Sequence, residues 1–485
     1  MDSKKDNTAT SDDNLNHPER FVVFRDRYDY GPFPALYFTH HWLGERSIKY
    51  YGAKISYQLG FASGYLQKGK FKYILGLKTE AENFTKVLVD KIINEPNFVN
   101  NTNDKSKKTE KELDIFLDET LNSKKELLVK NLIELHQKWF DSYAEFSFWN
   151  IPLWLMVPDL LAEKVKSQLK TSYQVSDEEF LQLVTPDTAS YLFEEETELL
   201  KIAQYIDFEK QNWLSQPENT RAMLKEHADK WFWIPFDYLG PDIWREPEML
   251  KRLFDIANNK TTASKLLNQK LQYHKDLRNK QNSIEAKYKI SEVEKRLLKE
   301  LRTIANMQDD KKKICTKAQY VLQSVIFKQT AKILNISEPV VLIKFTHDEI
   351  WGALKNESAI TKDEIEKRKI GCAGILGPRG YEIISGNDAV KLFEIFSQTS
   401  TAVSDFRGQI ASRGIIRGKV KVLLSPKDIG KMEKGDILVA NMTTPDYILA
   451  MNKAAAIVTS EGGLTCHAAI VARELKIPCI IGTKI

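Results

Sequence analysis

The sequence predicts a multidomain protein in which a mostly α-helical N-terminal region is followed by a small α/β domain. From residue 21 to about residue 365, apolar residues recur at spacings of three and four, which is typical of amphipathic helices. From about residue 405, apolar runs and helical patterns follow one another as strand, helix, strand, helix, strand. That order is typical of an open layer of parallel strands. A chain of 485 residues has room for two to four domains.

The composition indicates a soluble globular protein. Hydrophobic residues make up 42% and charged residues 28% of the chain. The net charge of +5 is small against 71 basic and 66 acidic side chains, and without a basic stripe it does not indicate nucleic-acid binding. The four cysteines lack metal-ligand spacing and favour a reducing cytoplasm, and we expect no bound metal. No apolar stretch reaches the ~20 residues that a membrane span needs.

The part of the chain before the α/β domain is expected to consist of three segments. Residues 1–20 are polar and are predicted to be a disordered tail, without the apolar core of a secretory signal. Residues 21–365 are predicted to be mainly helical, because strand-like alternation is nearly absent before residue 370. Residues 366–404 are expected to form a hairpin turning through Gly377 to Gly380, then a helix beginning near Asn387 or Asp388 and a Ser/Thr-rich linker.

Residues 405–485 are predicted to be the α/β domain. "GIIRGKVKVLLS" alternates like a strand, and "GDILVANM" leads into a helix with Thr444 as its N-cap. "AAAIVTS" is a buried strand, and a helix beginning near Thr465 or Cys466 separates it from a last strand, "PCIIGT". On that helix we expect a buried stripe, with Arg473 among the residues able to face solvent. The stripe consists of Ala468, Val471, Ala472 and Leu475.

The turn before that helix has the features of a phosphate site. Gly462 and Gly463 let the backbone turn sharply, and the first N–H groups of a helix bind anions. His467 lies in the first turn, and a neutral imidazole there is a nucleophile able to accept a phosphoryl group. Considered singly, a histidine at a helix start is usually a cap or a surface residue, and a double-glycine turn is common in α/β folds.

The whole stretch from Gly462 to Ala469 resembles the phosphohistidine (swivelling) domain of phosphoenolpyruvate-utilising enzymes. That family includes phosphoenolpyruvate synthase, pyruvate phosphate dikinase and rifampin phosphotransferase. By position, the resemblance implies that His467 carries the phosphoryl group, with Thr465 as its catalytic support and with Gly462, Gly463 and Cys466 supporting the phosphate. The sequence stops before the final strands that the family adds, so we expect the domain to be truncated at its C-terminus.

The resemblance also implies a donor that this chain does not evidently bind by itself. We expect Mg²⁺ with ATP or phosphoenolpyruvate at the donor step, held by an ATP-grasp partner subunit. The chain has no Gly-x-x-x-x-Gly-Lys-Ser/Thr phosphate loop, and its helical region leaves no room for an ATP-grasp domain.

The helical region is the expected place for a small-molecule acceptor. By analogy with rifampin phosphotransferase, an aromatic stretch there would line the acceptor pocket, although core packing explains these side chains more readily. The residues are Trp231, Trp233, Phe236, Tyr238 and Trp244. A second family-like segment predicts a helix capped by Thr346, with Glu349 at its third position. Six other histidines have no spaced carboxylate or cysteine partner and are left unassigned: His40, His41, His136, His227, His274 and His347.

Three functions remain open from the sequence. The leading one is a phosphotransferase component in which His467 is phosphorylated from a partner and delivers the group to an acceptor. The second is a non-catalytic binding or regulatory protein that retains the domain. The third is a self-contained kinase with a nucleotide site within residues 21–230.

Overall fold

The computed structural model forms two compact units. One unit comprises Met1–Asp90, Asp118–Phe148 and Val321–Val403, and the other comprises Lys91–Leu117, Trp149–Tyr320 and Ser404–Ile485. The predicted domain boundaries near residues 20, 365 and 404 stay predictions. The structure describes residues 21–24, 49–52, 58–63, 71–123, 128–236, 242–377, 380–397, 408–423, 426–440, 443, 447–460 and 467–483.

The N-terminal region is mainly helical, as predicted. Its first six described helices are α1 (Lys78–Asn94), α2 (Phe98–Asn122), α3 (Val129–Met156), α4 (Pro158–Tyr173), α5 (Asp177–Val184) and α6 (Tyr191–Ile202). The next seven are α7 (Glu218–Trp231), α8 (Glu246–Ile256), α9 (Lys260–Tyr288), α10 (Glu292–Val321), α11 (Lys328–Ile333), α12 (His347–Leu354) and α13 (Lys362–Ile370). A π-helical turn, Leu322–Phe327, joins α10 to α11.

Two of these helices begin with a reciprocal capping box. The Thr346 hydroxyl accepts a hydrogen bond from the backbone N–H of Glu349, whose carboxylate accepts one from the N–H of Thr346. The prediction for α12 is therefore confirmed. Ser176 and Glu179 form the same arrangement at the start of α5. Each box satisfies N–H groups that the first turn of a helix leaves unpaired.

The first sheet contains strands that the sequence did not predict. Its order is β1-β3-β2-β4-β5, and every neighbouring pair is antiparallel. The strands are β1 (Phe21–Phe24), β2 (Gln58–Ser63), β3 (Phe71–Leu77), β4 (Gly371–Gly377) and β5 (Gly380–Ser385). The expectation of nearly no strands before residue 370 was wrong, because β2 gains its second neighbour from β4, far along the chain. No local pattern reports such a partner.

The hairpin predicted beyond residue 366 is confirmed. Strands β4 and β5 pair through Gly377 opposite Gly380. Helix α14 (Asn387–Ser397) follows, beginning at the predicted residue. Most of the predicted linker after it lies outside the described residues.

Each unit has its own hydrophobic core. In the first unit, Tyr51, Trp139 and Phe148 are fully buried, and the Tyr51 hydroxyl donates to the backbone carbonyl of Phe148. In the second unit, residues from α6, α7, α8 and α9 form one buried cluster that includes Leu199, Leu224 and Leu253. Burial of such side chains is the main favourable term in folding.

The C-terminal sheet is the predicted open α/β layer. Its strands are β6 (Gln409–Ser412), β7 (Val420–Leu423), β8 (Ile437–Ala440), β9 (Ala456–Thr459) and β10 (Cys479–Ile481), in the order β6-β10-β9-β8-β7. Strands β7, β8, β9 and β10 are parallel, and β6 is antiparallel to β10. Helix α15 (Ile448–Lys453) joins β8 to β9, and α16 (His467–Glu474) joins β9 to β10.

The two faces of this sheet differ. One face buries residues such as Leu438, Ile457 and Ile481 together with the apolar side of α16. On the other face, Ile410 and Ile480 pair directly across strands and are 52% and 40% exposed.

Thr444, the predicted N-cap of the helix after β8, lies outside the described residues. No helix within the described residues combines the length and apolar character that crossing a bilayer requires.

Candidate functional site

His467 occupies the first position of α16, directly beyond the carboxyl end of β9. Strand β9 lies in the middle of the sheet, between β8 and β10, and is parallel to both. In open α/β sheets, ligands bind outside the carboxyl ends of the strands, where helix N-termini point. The fold therefore places His467 at the edge of the sheet where a phosphate site is expected.

The remaining predicted phosphate-site residues lie outside the described part of the chain. These are Gly462, Gly463, Thr465 and Cys466. The helix was predicted to begin near Thr465 or Cys466, and its described part begins at His467, which is within the usual uncertainty of a helix boundary. The roles of all five residues stay predictions.

Hydroxyl-bearing residues cluster at the same edge of the sheet. The Thr483 hydroxyl and its backbone N–H both donate to the carbonyl of Thr459, at 2.9 and 3.1 Å. Thr443 and Ser460 are also buried there, at 0% and 5% exposure. Sequence reasoning overlooked this set, although each residue ends or directly follows a predicted buried strand. Parallel strands bring their carboxyl ends together, so position alone identifies the group.

The packing of α16 confirms most of its predicted buried stripe. Ala468, Val471 and Ala472 are at most 4% exposed. Leu475 was predicted to be buried but is 36% exposed. The helix ends at Glu474 and Lys476 takes a left-handed conformation, so the backbone turns away from the sheet before Leu475 can continue the stripe.

Arg473 makes two hydrogen bonds through its guanidinium group. Its Nε donates to the backbone carbonyl of Ala411 in β6, at 3.0 Å. Its Nη1 donates to the hydroxyl of Thr185, which directly follows α5, also at 3.0 Å. Arg473 is partly exposed, as the prediction allowed, but both partners are distant in sequence, so helical periodicity alone could not reveal these contacts.

The predicted acceptor residues lie in a densely packed part of the second unit. Trp231, Trp233 and Phe236 are 2–4% exposed, and the half-buried Trp244 packs against the same core. The indole N–H of Trp231 donates to Glu198, and that of Trp233 to the carbonyl of Lys230. Tyr238 lies outside the described residues. Three of the five side chains thus belong to the core, and an acceptor pocket here stays a prediction.

A buried ion network lies beneath these aromatic residues. Arg252 Nη2 donates to Glu195 at 2.5 Å, and His227 Nε2 lies 3.1 Å from the same carboxylate. The indole of Trp244 stacks on the Arg252 guanidinium at 3.8 Å. Burial alone would disfavour ionised Glu195, but Arg252 and His227 outweigh it and keep the pKa of Glu195 below its ordinary value. His227 therefore does have a carboxylate partner, on a neighbouring helix rather than at a local spacing.

Burial determines the pKa shifts of two further histidines, His136 and His274. Burial, with the nearby His347, lowers the pKa of His136 to about 3, and its Nε2 lies 2.8 Å from the Thr330 hydroxyl. Burial also lowers the pKa of His274. Three cysteines, Cys315, Cys372 and Cys479, are buried, and none of the three is in a disulfide bond. Within the described ranges, no group of three or more His, Cys, Asp or Glu side chains is arranged to hold a metal ion.

Comparisons with known proteins match the C-terminal part of the chain. Residues 432–485 match the family model described as "PEP-utilising enzyme, mobile domain". A probable phosphoenolpyruvate synthase of Archaeoglobus fulgidus is 63% identical over 79 residues, which are 16% of this chain and 10% of that protein. The phosphoenolpyruvate synthase of Pyrococcus furiosus is 58% identical over 78 residues, with the same shares of the two chains.

Another match covers more of the chain. The phosphoenolpyruvate synthase of Escherichia coli is 35% identical over 149 residues, or 29% of this chain and 18% of that protein. The chain thus spans between a tenth and a fifth of the length of these curated relatives. The match to the mobile-domain model agrees with the α/β layer observed there and with the position of His467. Residues 432–485 are therefore a mobile domain of the phosphoenolpyruvate-utilising enzymes, the family that the motif around His467 predicted.

Proposed function

We propose that this protein is a phosphotransferase component in which His467 carries a phosphoryl group from a donor on a partner to a small-molecule acceptor. The observation that supports this most directly is the position of the Gly-Gly-Leu-Thr-Cys-His run. It ends on the first residue of α16, beyond the carboxyl end of β9, inside the matched mobile domain. The relatives are named phosphoenolpyruvate synthases, which supports ATP or phosphoenolpyruvate as the donor.

The proposed chemistry consists of two transfers. A ring nitrogen of neutral His467 attacks the donor phosphorus, a P–N bond forms, and the P–O bond to the leaving group breaks with its electron pair leaving on oxygen. In the second transfer an acceptor oxygen attacks the same phosphorus and the P–N bond breaks. Dividing one transfer into two lowers each barrier. Because phosphoryl transition states are loose, the helix N-terminus, Thr465 and the glycine turn would act by positioning and by stabilising charge.

The donor site is assigned to a separate ATP-grasp partner. No step of the proposed chemistry is therefore routed through a metal on this chain. The acceptor is assigned to the helical region, where Trp244 is the partly exposed one among the four described members of the predicted aromatic set.

The test is the intact mass of the protein after incubation with Mg·ATP or with phosphoenolpyruvate, each with and without extract of the source cells. We expect a single phosphoryl adduct that is labile in acid and stable in alkali, because a phosphoramidate has that stability. His467→Asn should abolish the adduct, whereas His274→Gln, which changes an unassigned histidine on α9, should retain it. A requirement for extract would support a separate donor subunit.

Two results would contradict the proposal. One is an adduct that persists in His467→Asn, which would place the phosphoryl group elsewhere. The other is no adduct in any mixture although circular dichroism shows a folded protein. That second result would favour a binding or regulatory protein that keeps the domain without turnover.

A further inference from the structure

The C-terminal end of the short helix α5 presents carbonyl groups that accept hydrogen bonds from side chains. The last carbonyl groups of a helix are unpaired and carry partial negative charge. Here the Leu183 carbonyl accepts a hydrogen bond from Arg302 at 2.6 Å. The carbonyls of Gln182 and Thr185 both accept from the side-chain amide of Gln281, at 2.9 Å each. This end of α5 is therefore fixed by α9 and α10 and presents ordered acceptors.

Thr185 adds a side-chain acceptor at this end of α5. Its hydroxyl donates to the Leu181 carbonyl at 2.6 Å, which directs the hydroxyl lone pairs away from α5. Arg473 of α16 donates to that oxygen at 3.0 Å. The hydroxyl is thereby both donor and acceptor, and Thr185 is only 2% exposed. A charged donor makes this a stronger hydrogen bond than a neutral one.

Arg473 links this contact to the proposed phosphoryl carrier. It lies on the same helix as His467, six residues later, which is about 9 Å along a helix axis. Its other nitrogen, Nε, holds the Ala411 carbonyl of β6. One guanidinium therefore joins α16, the edge strand β6 and the end of α5.

The other end of α5 provides a second, independent point of attraction. Asp177 is the first residue of α5 and pairs with Lys166 at 3.1 Å. The hydrogen bond from Lys166, with the charges of Lys166, Lys170 and Arg413, keeps the pKa of Asp177 below its ordinary value. Arg413 lies two residues after Ala411 in the sequence. Cationic side chains of the C-terminal sheet region thus interact with both ends of α5, a helix of eight residues.

We propose that α5 is the docking surface on which the C-terminal sheet region rests, with the Arg473–Thr185 hydrogen bond as its specific contact and the charge of Arg413, acting on Asp177, as its electrostatic support. The dock holds α16, and with it His467, at one position on the helical region. These are polar contacts that exchange readily with water, so they suit a contact that is made and released. The role of the dock in phosphoryl delivery rests on the function proposed above, whereas the existence of the dock does not depend on that function.

Hydrogen–deuterium exchange on the full-length protein tests the dock without any phosphoryl donor. Thr185→Val removes the hydroxyl at nearly constant volume, and we expect amides of β6 and α16 to exchange about 10-fold faster, the equivalent of one charge-assisted hydrogen bond. Thr185→Ser should restore wild-type exchange there. Arg473→Gln should in turn speed the exchange of amides in α5, far away in sequence.

The matched control is Arg417→Gln, which removes an exposed cation of the same sheet region and should leave α5 unchanged. Both substitutions remove the same hydrogen bond. Apart from the local effect of Thr185→Val, the double variant Thr185→Val with Arg473→Gln should therefore speed exchange in α5 no more than Arg473→Gln alone does. The proposal is overturned if each single variant changes exchange only in its own element, or if the two effects simply add. Because no phosphate is involved, failure of the His467 adduct experiment would leave this result intact, and the reverse also holds.

Discussion

At the residue scale, buried charged side chains in this protein are held by partners that packing supplies. Glu195, Arg252 and His227 come from three different helices and meet in one network. Removing one member of such a network leaves another charge unpaired in the core, which is costly. The same dependence on packing explains why the contacts of Arg473 and His227 were not predictable from local spacing. The motif around His467 is contiguous and could be recognised from sequence, and the role that it assigns to His467 stays a prediction.

Asp309 carries a pH dependence that a substitution can expose. It is partly buried in α10 and accepts a hydrogen bond from the backbone N–H of Tyr191 at 2.9 Å. Burial raises its pKa to about 7 from 3.8. Between these values the folded protein holds a proton that the unfolded chain has lost, so stability falls as pH rises from about 4 to about 7. We therefore expect Asp309→Asn to stabilise the protein at pH 8 by roughly 3 kcal/mol and to have little effect at pH 4.

Urea unfolding at pH 4, 6 and 8 measures this difference. Asn keeps an oxygen that can accept from Tyr191, so the substitution removes the charge and retains the hydrogen bond. Asp229→Asn, which removes an exposed carboxyl group, is the control and should show no such trend. An equal effect of Asp309→Asn at all three pH values would show that the carboxyl group is ionised or protonated throughout.

At the element scale, features set by neighbouring residues were predictable and features set by distant pairing were not. The capping box of α12, the β4–β5 hairpin and the start of α14 follow from short stretches. Strands β2 and β3 were missed because β2 is completed by β4, and loop closure over such a distance leaves no mark in the local sequence. The stripe on α16 was correct until Leu475, where a left-handed turn at Lys476 ends the helix.

The capping box of α12 predicts a measurable loss of stability. Thr346→Ala removes the hydroxyl that accepts from Glu349, and we expect the free energy of unfolding to fall by about 1 kcal/mol. Thr346→Ser keeps the hydroxyl and should lose only a few tenths. Glu349→Gln should cost more than Thr346→Ala, because Glu349 also accepts two hydrogen bonds from Arg368, whose side chain is 4% exposed. Chemical denaturation measures the free energy of unfolding of all three variants. Equal losses for Thr346→Ala and Thr346→Ser would show that the capping hydrogen bond does not account for the effect.

At the scale of the whole molecule, the matched part and the remainder differ in what could be inferred. The mobile domain is short, and its motif is contiguous in sequence, so its fold class was predictable, and the carrier role of His467 stays a prediction. The helical region offers periodicity but no contiguous chemical motif. Its predicted acceptor residues turned out to include core tryptophans, because aromatic stretches serve packing and binding equally well.

The division into two units with separate cores predicts that unfolding is not a single two-state transition. Trp139 is fully buried in the first unit, and Leu253 is fully buried in the second. Truncating either to Ala opens a cavity costing about 2–5 kcal/mol in its own core. We expect differential scanning calorimetry to resolve two transitions, with Trp139→Ala lowering the temperature of one and Leu253→Ala that of the other. If both variants shift one common transition by similar amounts, the two cores unfold cooperatively and the units are not independent in stability.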